Sequence, residues 1–137
     1  MITHLSSFSG KSITLPVTVR DIDSHLAVDI TDALWDTGSA HTIITKDIAK
    51  AIGIRLGERG EVDTPKGAIP CWRVTFEVKM SDGGIFELED AIVLDNELKH
   101  HVVIGMDIIG SGISRIDVVE EGGKKFFRLV YKCFAEK

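Results

Sequence analysis

An aspartate stands at the end of an apolar segment and directly before a glycine-containing turn. The segment Ala33-Leu34-Trp35 leads into Asp36-Thr37-Gly38-Ser39. Burial disfavours the charged form of a carboxyl group, so an aspartate in this place needs hydrogen-bond donors or a chemical task. Gly38 lets backbone N–H groups approach the Asp36 carboxylate, and the Thr37 hydroxyl can fix the loop. These residue types suit general acid–base chemistry, but they would serve equally well as a capped turn after a strand.

The elements around this turn are predicted to be mainly β-strands. Apolar and polar residues alternate with a period of two, which is typical of strands that bury one face. Strands are predicted over residues 13–19, 26–30, 73–80, 85–94, 116–119 and 126–131. Hairpin turns are expected at 81–84 and 121–124. Pro16 cannot donate to a ladder, so the first of these strands is expected at a sheet edge or beside a bulge.

Two short helices are predicted among the strands. Over residues 45–52, Thr45 can cap the N-terminus and the apolar side chains share one face, while Gly53 is suited to end the helix. A second helix is predicted over 106–110, directly after the apolar cluster Val102-Val103-Ile104-Gly105. Neither helix is long, so the chain is not predicted to alternate strands and crossover helices.

Two sequence motifs together resemble the retropepsin-like family of aspartic proteases, the single-lobed relatives of pepsin. The first is Leu34-Trp35-Asp36-Thr37-Gly38-Ser39, and the second is Val103-Ile104-Gly105 before the short helix. Between them the chain has Thr42-Ile43-Ile44, a helix ending in Gly53-Ile54 and a turn at 64–67, in the family's order. The resemblance covers about residues 12–131 of a single domain spanning 1–137. It implies a closed or partly open β-barrel with one or two short helices.

The resemblance implies an aspartic endopeptidase in which Asp36 is catalytic. Such an enzyme needs two carboxylates that share one proton, because like charges so close together cannot both ionise near neutral pH. The sequence contains one Asp-Thr/Ser-Gly triplet, since Asp63-Thr64 is followed by proline. A homodimer that contributes one Asp36 from each subunit is therefore expected. One carboxylate would activate water and the other would protonate the scissile carbonyl, with no cofactor and no metal.

The resemblance also implies roles for residues around the carboxylate. Thr37, Gly38 and Ser39 would support the catalytic loop, and Ile104 and Gly105 would pack against it. A hairpin over about 62–72 would close as a flap over an extended peptide or protein substrate bound by strand addition. Its candidate substrate-contacting residues are Thr64, Pro65, Lys66, Gly67, Ala68 and Ile69.

Some residues depart from the viral members of the family. Ala40 stands where those members carry an acidic residue, and Met106 where they carry an arginine. Gly105-Met106-Asp107 instead resembles the cellular and bacterial branch. Pro65 and Pro70 restrict the flap. A hairpin after Ser111 extends the tail, so the dimer is not expected to close with the short terminal strands that viruses use.

Composition and charge exclude several classes of protein. The 137 residues carry a net charge of −5, which argues against a general nucleic-acid-binding surface and a polybasic membrane anchor. Every apolar run is too short for a membrane-spanning helix, and no secretory signal is visible at the N-terminus. Cys71 and Cys133 form no disulfide framework. We expect a soluble cytoplasmic domain with reduced thiols.

Weaker candidate sites have simpler explanations. His41 lies near the predicted site and could contact substrate, but it also fits a partly exposed loop. His100 and His101, placed on a strand, would point to opposite faces and chelate one ion poorly. Cys71 fits a buried or flap-lining thiol better than a nucleophile. For the whole chain, a non-catalytic dimerisation or peptide-binding module of the same fold is the main alternative. An unrelated β-barrel would require both motifs to be coincidental.

Overall fold

The computed structural model describes residues 1–7, 12–95 and 98–134. Within these ranges the chain is mainly β, which confirms the predicted fold class. The elements in chain order are β1 (Ile2–Ser7), β2 (Thr14–Arg20), β3 (Ala27–Trp35), β4 (Ile43–Thr45), α1 (Lys46–Ile52), β5 (Arg59–Thr64), β6 (Gly67–Met80), β7 (Ile85–Leu94), β8 (Val102–Ile104), α2 (Met106–Ile109), β9 (Gly112–Glu121) and β10 (Lys124–Cys133).

The strands form two sheets. The larger one has the order β2-β3-β8-β4-β7-β6-β5, and β2 also pairs with β6, so the sheet curves back on itself. The smaller one has the order β1-β10-β9 and is antiparallel throughout. The short strand β8 lies between β3, to which it is parallel, and β4, to which it is antiparallel. This insertion brings the two sequence motifs into one sheet.

Both sheets contribute to a single hydrophobic core. Phe76, Ile104 and Ile108 from one side pack in the same cluster as Leu129 and Tyr131 from the smaller sheet, and all five are buried. Full burial of side chains of this size stabilises the fold by about 1.5–3 kcal/mol each. The small sheet is therefore held to the large one by its β10 side chains.

Local sequence signals account for the strand and helix boundaries. The β2–β3 register shifts between Leu15 and Val17, so Pro16 lies at a bulge, as predicted. Helix α1 ends at Gly53, whose φ of 72° is the left-handed conformation that glycine adopts readily. Thr45 precedes α1, but its side chain makes no capping hydrogen bond. Its hydroxyl instead lies 3.1 Å from His101 Nδ1.

The structure differs from the sequence predictions in several places, of which three concern the smaller sheet, the β5–β6 hairpin and the two histidines. Strand β1 was not predicted, and it pairs with β10 from Ile2↔Tyr131 to Ser7↔Phe126. Strands β5 and β6 pair from Arg59↔Trp72 to Thr64↔Gly67, so the hairpin is longer than the predicted 62–72. His100 and His101 lie in the bend before β8, so the prediction that both lie on a strand was wrong.

Among the described residues, no helix has the length and apolar character needed to cross a membrane.

Candidate active site

The two sequence motifs meet where β3 and β8 run side by side. Leu34 pairs with Val103 and Trp35 with Ile104 in the parallel ladder. The ladder continues one step further, because the Asp36 N–H donates to the Ile104 carbonyl at 3.0 Å. Asp36 is therefore placed by a strand that lies about half of the chain away from it in sequence.

The loop after β3 folds back onto the Asp36 carboxylate. The Gly38 N–H donates to Asp36 Oδ1 at 2.8 Å, and the Ser39 N–H donates to the Asp36 carbonyl at 3.3 Å. A Cβ on residue 38 would lie 3.2 Å from Oδ1, so glycine allows this approach. Asp36 is half-buried, while Thr37 and Gly38 are exposed. The carboxylate thus has one oxygen fixed by backbone and lies at the protein surface.

Gly105 packs directly against this loop. A Cβ at residue 105 would come within 3.0 Å of the carbonyl oxygens of both His41 and Ser39. The next residue, Met106, donates its N–H to the Ser39 carbonyl at 2.7 Å. Both contacts are to backbone atoms, so no change of side-chain rotamer in the loop could make room for a larger residue at 105. Glycine at 105 is required by this packing.

A buried polar network ties the same loop to helix α2. Thr42 donates its hydroxyl to Asp107 Oδ1 at 2.6 Å and its N–H to Asp107 Oδ2 at 2.8 Å. The Thr42 hydroxyl also accepts the Gly105 N–H at 3.2 Å. Sequence reasoning identified Thr42 and Asp107 in separate motifs but did not predict that they bond. The sequence signal for this contact was the acidic Asp107 directly after Gly105-Met106, together with Thr42 six residues after Asp36.

An aromatic pair connects this region to the smaller sheet. The rings of Trp35 and Tyr131 meet edge to face with centroids 5.2 Å apart. The Tyr131 hydroxyl donates to the Ile108 carbonyl at 2.7 Å and lies 3.0 Å from Ser111 Oγ. Burial raises the pKa of Tyr131 above its ordinary value of 10.0. Trp35 is buried in the core.

The β5–β6 hairpin lies on the same side of the molecule as His41. Its turn is Pro65-Lys66, and Gly67 follows with a φ of 109°. A cavity of about 290 Å³ separates the hairpin from the loop after Asp36. The lining includes His41, Arg59, Glu61, Val62, Cys71 and Ile92. Cys71 is buried, as predicted, and Ala68 and Ile69 lie further out on β6.

The two adjacent histidines do not belong to this site. His101 contacts Thr45, and His100 Nδ1 lies 3.1 Å from the Asp32 carbonyl oxygen. The part of the chain that the structure describes contains no group of three or more His, Cys, Asp or Glu side chains able to hold a metal ion.

The family described as "gag-polyprotein putative aspartyl protease" matches residues 22–111, more than half of the chain, including Asp36 and Gly105. The chain belongs to the retropepsin-like aspartic protease family. None of the curated proteins matches it in sequence.

Three solved structures share the fold. A retropepsin-like aspartic protease from Rickettsia conorii has a TM-score of 0.61 and 17% identity, covering 95% of this chain and 89% of that one. The retroviral protease-like domain of Ddi1 from Leishmania major has a TM-score of 0.55 and 18% identity, covering 84% and 91%. The EIAV protease, solved with the inhibitor HBY-793, has a TM-score of 0.51 and 15% identity, covering 70% and 83%. These similarities concern the retropepsin-like fold.

Proposed function

We propose that this retropepsin-like protein is an aspartic endopeptidase whose active site forms between two identical subunits, each contributing Asp36. The observation that carries the proposal is the position of Asp36, which is half-buried, fixed through Oδ1 and supported by the Gly105 segment. The sequence supplies one Asp-Thr-Gly, so one chain supplies half of a carboxylate pair. Membership of an aspartic protease family supports peptide hydrolysis as the reaction.

The reaction needs one ionised and one protonated carboxyl group. The ionised Asp36 takes a proton from water as the water oxygen bonds to the peptide carbonyl carbon, and the partner subunit's protonated Asp36 gives its proton to the carbonyl oxygen. Asp36 then gives the proton it took from water to the amide nitrogen. As the C–N bond breaks, a hydroxyl of the tetrahedral intermediate returns its proton to the partner subunit's Asp36, so the pair regains its starting protonation.

The neighbouring residues act in this mechanism as supports. The Gly38 N–H holds the carboxylate, and the Ser39 N–H holds the Asp36 carbonyl, while Thr37 is assigned to the same loop. Ile104 and Gly105 support that loop from behind. We assign the β5–β6 hairpin as the flap, with Thr64, Pro65, Lys66, Gly67, Ala68 and Ile69 at its tip. An extended peptide would lie between the flap and Asp36 by strand addition.

The compartment follows from thiol chemistry. Cys71 and Cys133 are both free, and unpaired thiols are usual in the cytoplasm. We therefore place the protein there as part of the same proposal.

The proposal is tested by cleavage of a mixed peptide library from acidic to neutral pH. The wild type is compared with Asp36→Asn, which keeps the size of the side chain but cannot act as a base. Asp47→Asn, on an exposed position of α1, is the matched control. We expect cleavage by the wild type and the control and at least about a thousandfold loss in Asp36→Asn.

Two results would contradict the proposal in different ways. Cleavage unchanged in Asp36→Asn would remove this carboxylate from the mechanism. No cleavage by a wild type shown to be dimeric would favour the alternative, a non-catalytic dimerisation or peptide-binding module of the same fold.

A further inference from the structure

A second cavity opens where the smaller sheet meets the β6–β7 hairpin. Its volume is about 630 Å³, and its lining, among the described residues, includes neither Asp36 nor the loop that follows it. Ile2, Met80 and Tyr131 line it and are each 2% exposed, whereas Ile85 and Phe134 line it and are exposed. The cavity therefore extends from the surface into the contact between the two sheets. This size and a mainly apolar lining are typical of small-molecule sites.

The polar side chains at the buried end of the cavity already have partners within the fold. The Tyr131 hydroxyl donates to the Ile108 carbonyl at 2.7 Å, and Ser111 Oγ donates to the same carbonyl at 2.5 Å. Cys133 Sγ donates to the Ser111 carbonyl at 3.6 Å. What this end of the cavity offers to a ligand is therefore mainly apolar contact.

One carboxylate borders the cavity. Among the described residues that line it, Asp82 is the only charged one. The Gly84 N–H donates to Asp82 Oδ1 at 2.9 Å, and the Met80 N–H closes the same turn by donating to the Gly84 carbonyl at 2.8 Å. The hydrogen bond from Gly84 lowers the pKa of Asp82 below its ordinary value of 3.8, although burial partly opposes this effect. The carboxylate is thus ionised near neutral pH and fixed in direction.

An ammonium group already contacts this carboxylate. The α-ammonium of Met1 donates to Asp82 Oδ2 at 3.1 Å, so the oxygen is placed to receive a cationic donor. The Met1 side of this ion pair is 61% exposed, and ion pairs exposed to water contribute little to stability. A carboxylate oxygen can also accept more than one hydrogen bond. A second ammonium group can therefore share Asp82 with Met1, or replace Met1 at little cost.

We propose that this cavity binds a small amphipathic amine, whose apolar part lies against Ile2, Met80 and Tyr131 and whose ammonium group lies on Asp82. Apolar contact supplies most of the binding, and the charge-assisted hydrogen bond to Asp82 selects an ammonium over a neutral or acidic group. The inference goes beyond the proposed peptidase and does not depend on it.

The proposal is tested by isothermal titration calorimetry at neutral pH. The probes are phenylbutylamine, phenylbutanol and phenylbutanoate, which have the same phenyl ring and nearly the same length but a cationic, a neutral and an anionic end. We expect the wild type to bind the amine at least about tenfold more tightly than the alcohol, and to bind the acid most weakly.

The role of the charge is tested with Asp82→Asn. Asparagine keeps an oxygen that can accept the Gly84 N–H, so the turn is preserved while the charge is removed. The affinity for the amine should fall to about that for the alcohol, and the affinity for the alcohol should stay unchanged. Unchanged alcohol binding also shows that the cavity is still folded. Asp47→Asn, at an exposed position of α1 outside the cavity, is the matched control and should keep the preference for the amine.

The location is tested with two exposed lining residues. Ile85→Lys adds a cation beside the cavity and should weaken binding of the amine several-fold, whereas Leu26→Lys, equally exposed but outside the cavity, should not. Phe134→Ala removes part of the apolar lining and should weaken binding of the amine and the alcohol together.

Four outcomes would overturn the proposal. They are no binding of any probe, equal binding of the amine and the alcohol by the wild type, an unchanged preference for the amine in Asp82→Asn, and a preference for phenylbutanoate. The last result would mean that the Met1 ammonium, and not Asp82, recognises the ligand. Since peptide cleavage is not measured in these titrations, their failure would leave the protease proposal unaffected, and an inactive protease could still bind the amine.

Discussion

The loop around Asp36 and the β9–β10 hairpin are built in opposite ways. Around Asp36, several hydrogen bonds join segments far apart in sequence, such as Thr42 with Asp107 and Asp36 with Ile104. In the hairpin, β9 makes its ladder with the adjacent strand β10, and its outer side is exposed. The Asp36 loop is therefore held by contacts within one subunit. The outer edge of β9, in contrast, pairs with no other strand among the described residues.

This difference shows that one subunit can build the Asp36 loop alone, whereas the proposed pair of carboxylates needs two subunits. A rigid carboxylate loop can be assembled and held by a single core, because its supports come from the same chain. The second carboxylate of the proposed pair would have to come from another subunit. The β9–β10 hairpin is one part of the fold with exposed apolar side chains, among them Ile116 and Val118. Changes near Asp36 should accordingly reduce the stability of the subunit.

The largest effect on stability is expected from Gly105→Ala. The added methyl group would come within 3.0 Å of two backbone carbonyl oxygens, at His41 and Ser39. We expect a loss of about 3 kcal/mol or more in the free energy of unfolding, measured in urea. Gly60→Ala is the control, since its Cβ would lie 3.6 Å from Cys71 Sγ, an ordinary contact. Equal stability of the two variants would contradict the packing argument.

Thr42→Val should have the next largest effect. The substitution keeps the shape of the side chain but removes a donor to Asp107 and the acceptor for the Gly105 N–H. Loss of a hydrogen bond to a charged group, with buried partners left behind, costs about 2–3 kcal/mol. Thr75→Val is the control, because the Thr75 hydroxyl is exposed and donates to the Glu89 carbonyl at 3.4 Å. A Thr42→Val variant as stable as this control would show that the network contributes little.

Tyr131→Phe probes the connection between the two regions. It removes the hydroxyl bonded to Ile108 and near Ser111, while keeping the ring against Trp35. We expect a loss of about 1–2 kcal/mol at neutral pH. Because the pKa of Tyr131 is raised in the folded state, the stabilisation from its protonated hydroxyl is complete below pH 10.0 and is lost as the pH rises further. The difference in unfolding free energy between the wild type and Tyr131→Phe, measured in urea, should therefore be smaller above pH 10 than at pH 7. An equal difference at the two pH values would contradict this account.

The sequence predicted the Asp36 region well because its chemistry restricts the residue at each place. Asp36 needs a hydrogen-bond donor such as the Gly38 N–H, and glycine is the residue type that fits at position 105 behind the loop. The two motifs could therefore be recognised separately. Their bonding partners could not, since the Thr42–Asp107 contact depends on β8 entering between β3 and β4.

The sequence was less informative about the smaller sheet. Strand β1 lacks a strong alternation of apolar and polar residues, and its pairing with β10 joins opposite ends of the described chain. The β9–β10 turn was predicted from its glycines, but the exposure of Ile116 depends on where the core ends. Local patterns predict hairpins, whereas long-range pairing and uncovered surface follow from the tertiary fold.

The smallest effect is expected from Gly123→Ala in the β9–β10 turn. Gly123 has a φ of 76°, which costs an alanine about 1 kcal/mol, and a Cβ there would meet no neighbouring atom. Since the turn is remote from Thr42 and Gly105 in the hydrogen-bond network, peptide cleavage per folded dimer should be unchanged. Gly122→Asn is the control, because asparagine tolerates the left-handed φ of 57° at that position better than alanine does. If Gly123→Ala instead lowered cleavage per folded dimer, the hairpin would affect the active site more directly than through Tyr131. The Asp36 loop would then not be independent of the exposed β9 edge.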